Sequence, residues 1–218
     1  MISLKKLDKP EILVRKGDEW AGVIETKLAN GEELTKTEKS RYSHKDIKAK
    51  LVKETNGKCA YCESKILHID YADIEHISPK SIDPCGWVKW ENLTLACSIC
   101  NTNKSNYDTV ASPFVDPYLQ RPKDHMNIHG ASVLPLPGSS NAVHTIHVLK
   151  LNRPELLERR REKIFDLNKQ ALAMVAYPDA ATQAILLQDL EEEMLADKEY
   201  SALAEDFIFS LKSKMGMI

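Results

Sequence analysis

Four cysteines in the middle of this sequence have the types and spacing of a metal site. They form two pairs of equal spacing, Cys59-x-x-Cys62 and Cys97-x-x-Cys100. Each Cys-x-x-Cys turn presents two sulfurs to one point, and four thiolates satisfy a tetrahedral zinc ion. Two unrelated cysteine pairs are the less favoured interpretation, so the pattern predicts a structural Zn²⁺ site. The fifth cysteine, Cys85, is expected to be an ordinary loop or core residue.

Between the two pairs, Glu75 and His76 stand next to each other. A carboxylate beside a histidine at a strand end can hold a divalent cation while the imidazole accepts a proton from water. Neighbours within a strand point to opposite faces, so this interpretation requires the strand to end or bulge there, as Pro79 allows. On its own, a Glu-His pair is more often two surface residues without a shared function.

A third polar group follows the last cysteine directly. Successive helical side chains lie about 100° apart, so Cys100 can face zinc while Asn101 faces a cleft. An Asn side-chain oxygen is an acceptable ligand for Mg²⁺. Lys104 lies one turn later, and we predict Lys80 and Lys104 as phosphate contacts, with a solvated surface role as the alternative for each.

Four regions must position these groups. We predict an N-terminal helical segment over 1–57, a core over 58–110, an irregular Pro/Gly-rich arm with a strand over 111–150, and a C-terminal helical region over 151–218. The apolar spacing predicts helices over 18–28, from Ser43 to about 56, over about 97–106, from about 154 to a break at Tyr177, and two more after 180. It predicts a small hairpin over 65–77 and a strand over 143–149.

Composition limits the function classes. Of 218 residues, 43% are apolar and 28% charged, as in ordinary globular proteins. Neither a membrane-length apolar run nor a secretory leader is present, so we expect a cytoplasmic protein, in which cysteine pairs bind metal more often than they form disulfides. The net charge is −2, with 14 Lys/Arg against 10 Asp/Glu in 1–60 and 9 against 13 in 151–218. Any nucleic-acid contact must therefore be local or be supplied by a partner.

The order of these motifs resembles the HNH nuclease family. It runs Cys-x-x-Cys, Glu-His, Asn92, Cys-x-x-Cys-Asn. The resemblance implies an α+β fold, namely a ββα-metal (HNH) core with a structural four-cysteine zinc site, flanked by N-terminal and C-terminal helices. It also implies that Glu75 is the acidic metal ligand, His76 the general base, Asn92 the middle Asn and Asn101 the final metal ligand. The commoner family residue at the last position is His, so Asn101 indicates an HNN variant that prefers Mg²⁺ or Mn²⁺.

Segments outside the core extend the resemblance to the PtuB-type HNH nucleases over roughly residues 1–165. They are Lys9-Pro10-Glu11-Ile12-Leu13, Tyr42-Ser43-His44-Lys45-Asp46, Gly57-Lys58-Cys59-Ala60-Tyr61-Cys62-Glu63 and Leu151-Asn152-Arg153-Pro154-Glu155. These nucleases are effectors of bacterial Septu and retron-linked anti-phage systems. The resemblance implies a nucleic-acid substrate and a PtuA-like ATPase partner of the ABC class.

The expected reaction is hydrolysis of a phosphodiester, with DNA as the first candidate substrate. His76 deprotonates the attacking water, Glu75 and Asn101 hold the metal, and Asn92 braces the loop that orients His76. Two alternatives stay open. One is an RNase with the same residues, for example one that cuts transfer RNA in a retron system. The other is a zinc-stabilised binding module without activity.

Overall fold

The structure is a computed structural model that describes residues 1–66 and 72–217. The helices are α1 (Glu11–Ala29), α2 (Lys36–Ser40), α3 (Lys45–Glu54), α4 (Ser98–Lys104), α5 (Ser140–Val148), α6 (Pro154–Ala176), α7 (Ala180–Glu192) and α8 (Ser201–Lys214). The strands are β1 (Asp73–His76), β2 (Leu93–Ala96), β3 (Met126–His129) and β4 (Ser132–Pro135).

A ββα unit lies at the centre of the fold, as the resemblance implies. Strands β1 and β2 are antiparallel, with Asp73 opposite Ala96 and His76 opposite Leu93. All four residues of β2 are buried, and α3 packs against them. Helix α4 follows at once because Cys97 caps it, its Sγ accepting a hydrogen bond from the amide of Cys100. The chain therefore turns directly from β2 into the helix that contains Asn101 and Lys104.

The first residues of the chain are fastened to this unit. The Lys6 ammonium bonds Glu54 Oε1 on α3 at 3.0 Å and lies 4.0 Å from the centre of the Trp90 ring. The amide of Leu7 donates to Glu54 Oε2, and the Trp90 indole donates to the carbonyl of Leu7 at 2.7 Å. Helix α1 packs on the turn over 84–88, so the N-terminal helices lie against the loop between β1 and β2.

The helices after residue 150 form the other flank, as predicted. Helix α6 begins at Pro154 and ends before Tyr177, and it packs on α7 and α8. Helix α8 also contacts β3, which pairs with β4 in a second two-stranded sheet. Within the described part of the chain, every helix is too short or too polar to cross a lipid bilayer.

The strand predicted over 143–149 is wrong, because these residues lie in helix α5. Their alternation fits a strand, but Ala142, Thr145 and Leu149 also stand at helical spacing, and all three are fully buried. Ser139 caps the helix through the amide of Ala142, and Thr145 Oγ1 accepts a hydrogen bond from the amide of Val115 at 2.8 Å. The strands of the arm are β3 and β4 instead.

Two smaller predictions concern element ends. The helix predicted from Ser43 begins at Lys45: His44 caps it, its Nδ1 accepting a hydrogen bond from the amide of Asp46, while Ser43 ends a short 3₁₀ turn. The hairpin predicted over 65–77 lies partly on residues 67–71, outside the described residues. In the described part, β1 pairs with β2.

Candidate active site

The four predicted zinc ligands lie together at the end of the ββα unit. The Sγ atoms of Cys59, Cys62, Cys97 and Cys100 all lie within 4.8 Å of one another, and those of Cys62 and Cys97 are 3.9 Å apart. A tetrahedral ion with Zn–S bonds of about 2.3 Å requires sulfurs about 3.8 Å apart. The cluster therefore fits zinc. It is also the only such group of Cys, His, Asp or Glu among the described residues.

The surroundings of the cluster favour a bound cation. Burial raises the pKa of the Cys59 thiol well above its usual value, and a bound metal ion would favour the thiolate form of that sulfur. The Arg153 guanidinium, at the start of α6, lies 3.7 Å from Cys100 Sγ. Cys85 is exposed and outside the cluster, as expected of a loop residue.

The predicted catalytic groups line one small cleft beside β1 and α4. The cleft has a volume of about 220 Å³. Its walls include Glu75 and His76 from β1, Asn101 and Lys104 from α4, and Lys80 from the following loop. Strand β1 ends at His76, which is the condition under which neighbouring Glu75 and His76 can face the same space. Strand and helix thus bring together residues that are up to 29 positions apart.

His76 is oriented by a backbone carbonyl. Its Nε2 lies 3.0 Å from the carbonyl oxygen of Trp87, which can only accept, so Nε2 is protonated and Nδ1 is the free acceptor. Burial lowers the pKa of His76 to about 4. The imidazole is therefore neutral at pH 7, as a general base must be.

Asn92 is hydrogen-bonded to the loop that contains this carbonyl. Its Oδ1 accepts a hydrogen bond from the amide of Ser78 at 2.7 Å, and its Nδ2 donates to the carbonyls of Ser78 and Gly86. The side chain thereby joins the two ends of the loop that runs from β1 to Trp87. Asn92 is buried and does not line the cleft.

Glu75 and Lys104 form a buried ion pair. The Lys104 ammonium is 2.5 Å from Glu75 Oε1 and donates to the carbonyl of His76 at 2.7 Å. Burial raises the pKa of the Glu75 carboxyl, while the Lys104 charge opposes that shift. Only 2% of Lys104 is exposed, so it does not lie on the surface as the predicted phosphate contact would. Its position is instead that of a counter-charge to the acidic ligand.

Asn101 is oriented by a second acid. Its Nδ2 donates to Asp73 Oδ2 at 2.8 Å, so the amide oxygen Oδ1 remains as the atom that can bind a cation. Asp73 is half-buried and lies two residues before Glu75 on β1. The sequence favours Asp73 as a surface acid of a hairpin. The two-residue spacing along the strand was the signal that it shares a face with Glu75.

The residues present fit a hard divalent ion. A carboxylate from β1 and an amide oxygen from α4 are the donors that Mg²⁺ accepts, with water and phosphate oxygens completing its shell. Glu75 is buried, and its charge is balanced by one ammonium. Mg²⁺ is commonly held by one or two protein ligands together with water and substrate phosphate oxygens, so Glu75 and Asn101 are enough protein ligands for it.

One aromatic residue in the cleft was not predicted. Tyr42 comes from the short turn between α2 and α3, and its ring packs edge-on against that of His76, with centroids 4.6 Å apart. No local signal marks it, because the contact joins segments 34 positions apart.

Comparison with known proteins finds a family that matches this part of the sequence. The HNH endonuclease family matches residues 59–107, which include both cysteine pairs and all of β1, β2 and α4. The chain is also similar to two curated proteins named Septu protein PtuB. That of Bacillus thuringiensis is 30% identical over 129 residues, 59% of this chain and 46% of the relative. That of Bacillus mycoides (strain KBAB4) is 26% identical over 252 aligned positions, 98% of this chain and 85% of the relative.

The chain thus spans about half the length of the first relative and most of the second. Both matches include regions outside the HNH-matched residues, in agreement with the resemblance of the flanking segments. Residues 59–107 thus match the HNH endonuclease family, a family of phosphodiester hydrolases, and they include the four cysteines, His76, Glu75 and Asn101.

Proposed function

We propose that this chain is a metal-dependent endonuclease that hydrolyses phosphodiester bonds of nucleic acid, with DNA as its substrate, and that it acts in anti-phage defence. The observation that supports the activity best is the orientation of His76. Its Nε2–H is held by the Trp87 carbonyl, so Nδ1 is left to take a proton from water in the cleft.

The residues around His76 divide the remaining tasks. Asn92 keeps the Trp87 carbonyl in place through its hydrogen bonds to Ser78 and Gly86. Glu75 and Asn101 would hold Mg²⁺ or Mn²⁺, and the bound ion supplies charge stabilisation at the phosphate oxygens. Entry of a phosphate would raise the low pKa of His76, since a nearby negative charge favours the imidazolium. The base would thereby become stronger when substrate is bound.

The defence role rests on the similarity to the PtuB proteins. That similarity extends along most of the chain and so includes the helices on both flanks. We propose a PtuA-like ATPase as the partner. The C-terminal helices have exposed apolar side chains that a protein partner could cover. They are Phe165 and Leu172 on α6, Ile185 on α7 and Phe209 on α8.

The activity is tested with purified protein, Mg²⁺, and labelled single- and double-stranded DNA and RNA. We expect cleavage of DNA, and we expect His76→Ala to reduce its rate by about 10²- to 10⁴-fold, the usual contribution of a general base. His129→Ala is the matched control, because His129 is exposed and outside the cleft. Cleavage by His76→Ala at the wild-type rate would end the assignment of His76. Cleavage of RNA alone would replace DNA as the substrate.

A further inference from the structure

Tyr42 lies in the active-site cleft although it belongs to none of the residues that the HNH family matches. It lines the cleft with Glu75, His76 and Asn101, and it reaches that place from the turn between α2 and α3. The guanidinium of the preceding Arg41 lies over the Trp20 ring of α1. The N-terminal helices therefore hold this turn against the catalytic unit.

The Tyr42 ring limits the orientation of the general base. The two rings meet at 80°, edge to face, with centroids 4.6 Å apart, a preferred aromatic geometry. The hydrogen bond from Nε2 to the Trp87 carbonyl fixes one point of the imidazole but leaves a rotation about that point. Contact with the Tyr42 ring removes that freedom, so the two contacts together direct Nδ1.

The Tyr42 hydroxyl has a different contact. It accepts a hydrogen bond from the Lys80 ammonium at 3.2 Å, and that ammonium also lies 4.5 Å from the centre of the Tyr42 ring and 5.3 Å from that of Trp87. Among the residues that the structure describes, the contacts of the Lys80 ammonium are with Tyr42 and Trp87, and none is an ion pair with a carboxylate. Its charge is thus held by aromatic groups and is not neutralised, unlike that of Lys104.

An ammonium that is held by aromatic groups and not paired with a carboxylate can bind an anion. Aromatic faces and a phenol hydroxyl orient a cation without cancelling its charge, and a phosphate within reach gains a charge-assisted hydrogen bond. Lys80 lines the same cleft as His76 and is half-buried. The phosphate that it meets would be one of the substrate strand.

We propose that Tyr42 is a positioning residue of the active site, whose ring sets the orientation of His76 and whose hydroxyl sets Lys80 as the contact to a substrate phosphate. This inference rests on the proposed nuclease function. It assigns two separable tasks to one side chain from outside the HNH-matched residues.

Two substitutions separate the tasks. Tyr42→Phe keeps the ring and removes the hydroxyl, so we expect KM for an oligonucleotide to rise about threefold to tenfold, with kcat within about twofold of wild type. Tyr42→Leu also removes the ring, so we expect kcat to fall by at least about tenfold, as misplaced catalytic groups do. Steady-state cleavage of one labelled oligonucleotide gives both constants.

Tyr107→Leu is the matched control. Tyr107 is also half-buried and also loses one ring contact, its stacking on Phe114 at 5.0 Å, but it lies outside the cleft. Thermal unfolding shows whether the variants are folded, and Tyr42→Phe tests the hydroxyl should Tyr42→Leu be unstable. Equal effects of Tyr42→Leu and Tyr107→Leu on kcat, or an unchanged KM in Tyr42→Phe, would overturn the proposal.

A double-mutant cycle tests the link to Lys80. If the hydroxyl acts through Lys80, Tyr42→Phe should add no more than about twofold to the KM of Lys80→Met. Fully multiplicative effects would refute that link. Binding of the oligonucleotide without added Mg²⁺ gives a second readout that needs no cleavage. A wild-type protein that binds through Tyr42 and Lys80 but does not cleave would refute the nuclease function alone.

Discussion

At the scale of single residues, the role of each charged side chain in the cleft depends on whether an opposite charge is paired with it. Lys80 and Lys104 have equal claims in the sequence as phosphate contacts. In the structure Lys104 is buried against Glu75, whereas Lys80 is held by Tyr42 and Trp87. The difference arises because Lys104 is on the inner side of α4, facing β1. Nothing in the spacing of Asn101 and Lys104 reveals that side.

Lys104→Met is expected to destabilise the protein by about 3–5 kcal/mol. Removing one partner of a buried ion pair leaves the other charge without compensation, and burial already raises the pKa of Glu75. A divalent ion can then take the place of the lost ammonium. Urea unfolding with and without Mg²⁺ should therefore show a larger stabilisation by Mg²⁺ in the variant than in the wild type.

The control for this prediction removes the other charge as well. Glu75→Gln combined with Lys104→Met leaves no buried unpaired charge, so the double variant should be more stable than Lys104→Met and insensitive to Mg²⁺. A Lys104→Met protein of wild-type stability would show that the pair contributes nothing to the fold.

The residue types that define the site could be predicted from the sequence, but their supporting contacts could not. Cysteine spacing predicted the sulfur cluster, and the order of motifs predicted Glu75, His76 and Asn101, which line one cleft in the structure. Asp73 accepts a hydrogen bond from Asn101, which lies on α4. The ring of Tyr42 contacts that of His76 from the turn between α2 and α3. The contact of Tyr42 with His76 depends on tertiary structure alone, whereas the two-residue spacing of Asp73 and Glu75 indicates a shared face but not the bond to Asn101.

At the scale of elements, the loop between β1 and β2 determines where His76 points. Asn92 closes this loop, and the carbonyl of Trp87 within the loop orients the imidazole. The carbonyl of Gly86 accepts a hydrogen bond from Asn92 Nδ2 at 3.1 Å. A side chain there has no room, since a Cβ atom would lie 2.5 Å from Asp83 Oδ2 and 2.6 Å from Asn92 Nδ2.

Gly86→Ala is therefore expected to impair the proposed nuclease activity, although Gly86 itself is not one of the proposed catalytic groups. The added methyl must displace the Asn92 amide and with it the Trp87 carbonyl, which should lower kcat by about 10- to 100-fold and stability by about 1–3 kcal/mol. Kinetics and urea unfolding measure the two effects.

Gly22→Ala provides the comparison. Gly22 lies in α1, and nothing is within 4 Å of a Cβ atom placed there. Alanine should stabilise that helix by about 0.5–1 kcal/mol and leave kcat unchanged. If Gly86→Ala behaves like Gly22→Ala, the loop is not what orients His76.

The sequence predicts an element correctly where its apolar residues fit only the helix period or only the strand period. The prediction fails where they fit both. The C-terminal helices have a clear apolar face and recognisable ends, and α6 begins and ends where the sequence predicts. Residues 143–149 satisfy both the strand and the helix period. The helix forms because it buries Thr145 and Leu149 together and gives the amide of Val115 an acceptor.

At the scale of the whole molecule, the sulfur cluster joins three regions of the chain. Cys59 and Cys62 follow α3, whereas Cys97 and Cys100 begin α4. Tyr200, just before α8, shares a 2.8 Å hydrogen bond with Ser64. Arg153 reaches Cys100 from the start of α6. The metal site is thus the meeting point of the N-terminal helices, the ββα unit and the C-terminal helices.

Cys100→Ser is accordingly expected to unfold most of the chain. Zinc binding contributes about 10–16 kcal/mol to the folding of small zinc modules, and a whole domain is stable by only about 5–15 kcal/mol. Loss of one of four thiolates is expected to release the ion and so to remove about as much stability as a whole domain has. Circular dichroism should show loss of helix, and metal analysis should show loss of the zinc that we expect in the wild type at one ion per chain.

The extent of this unfolding follows from where the cluster lies. If it stabilised only the ββα unit, α6–α8 would keep their helical signal after zinc is lost, because they pack on one another. The contacts of Arg153 and Tyr200 with the zinc region predict instead that these helices melt in the same transition. Cys85→Ser is the matched control, since Cys85 is an exposed thiol outside the cluster, and it should retain both zinc and stability. A Cys100→Ser protein that is soluble, folded and free of zinc would show that the cluster does not join the regions.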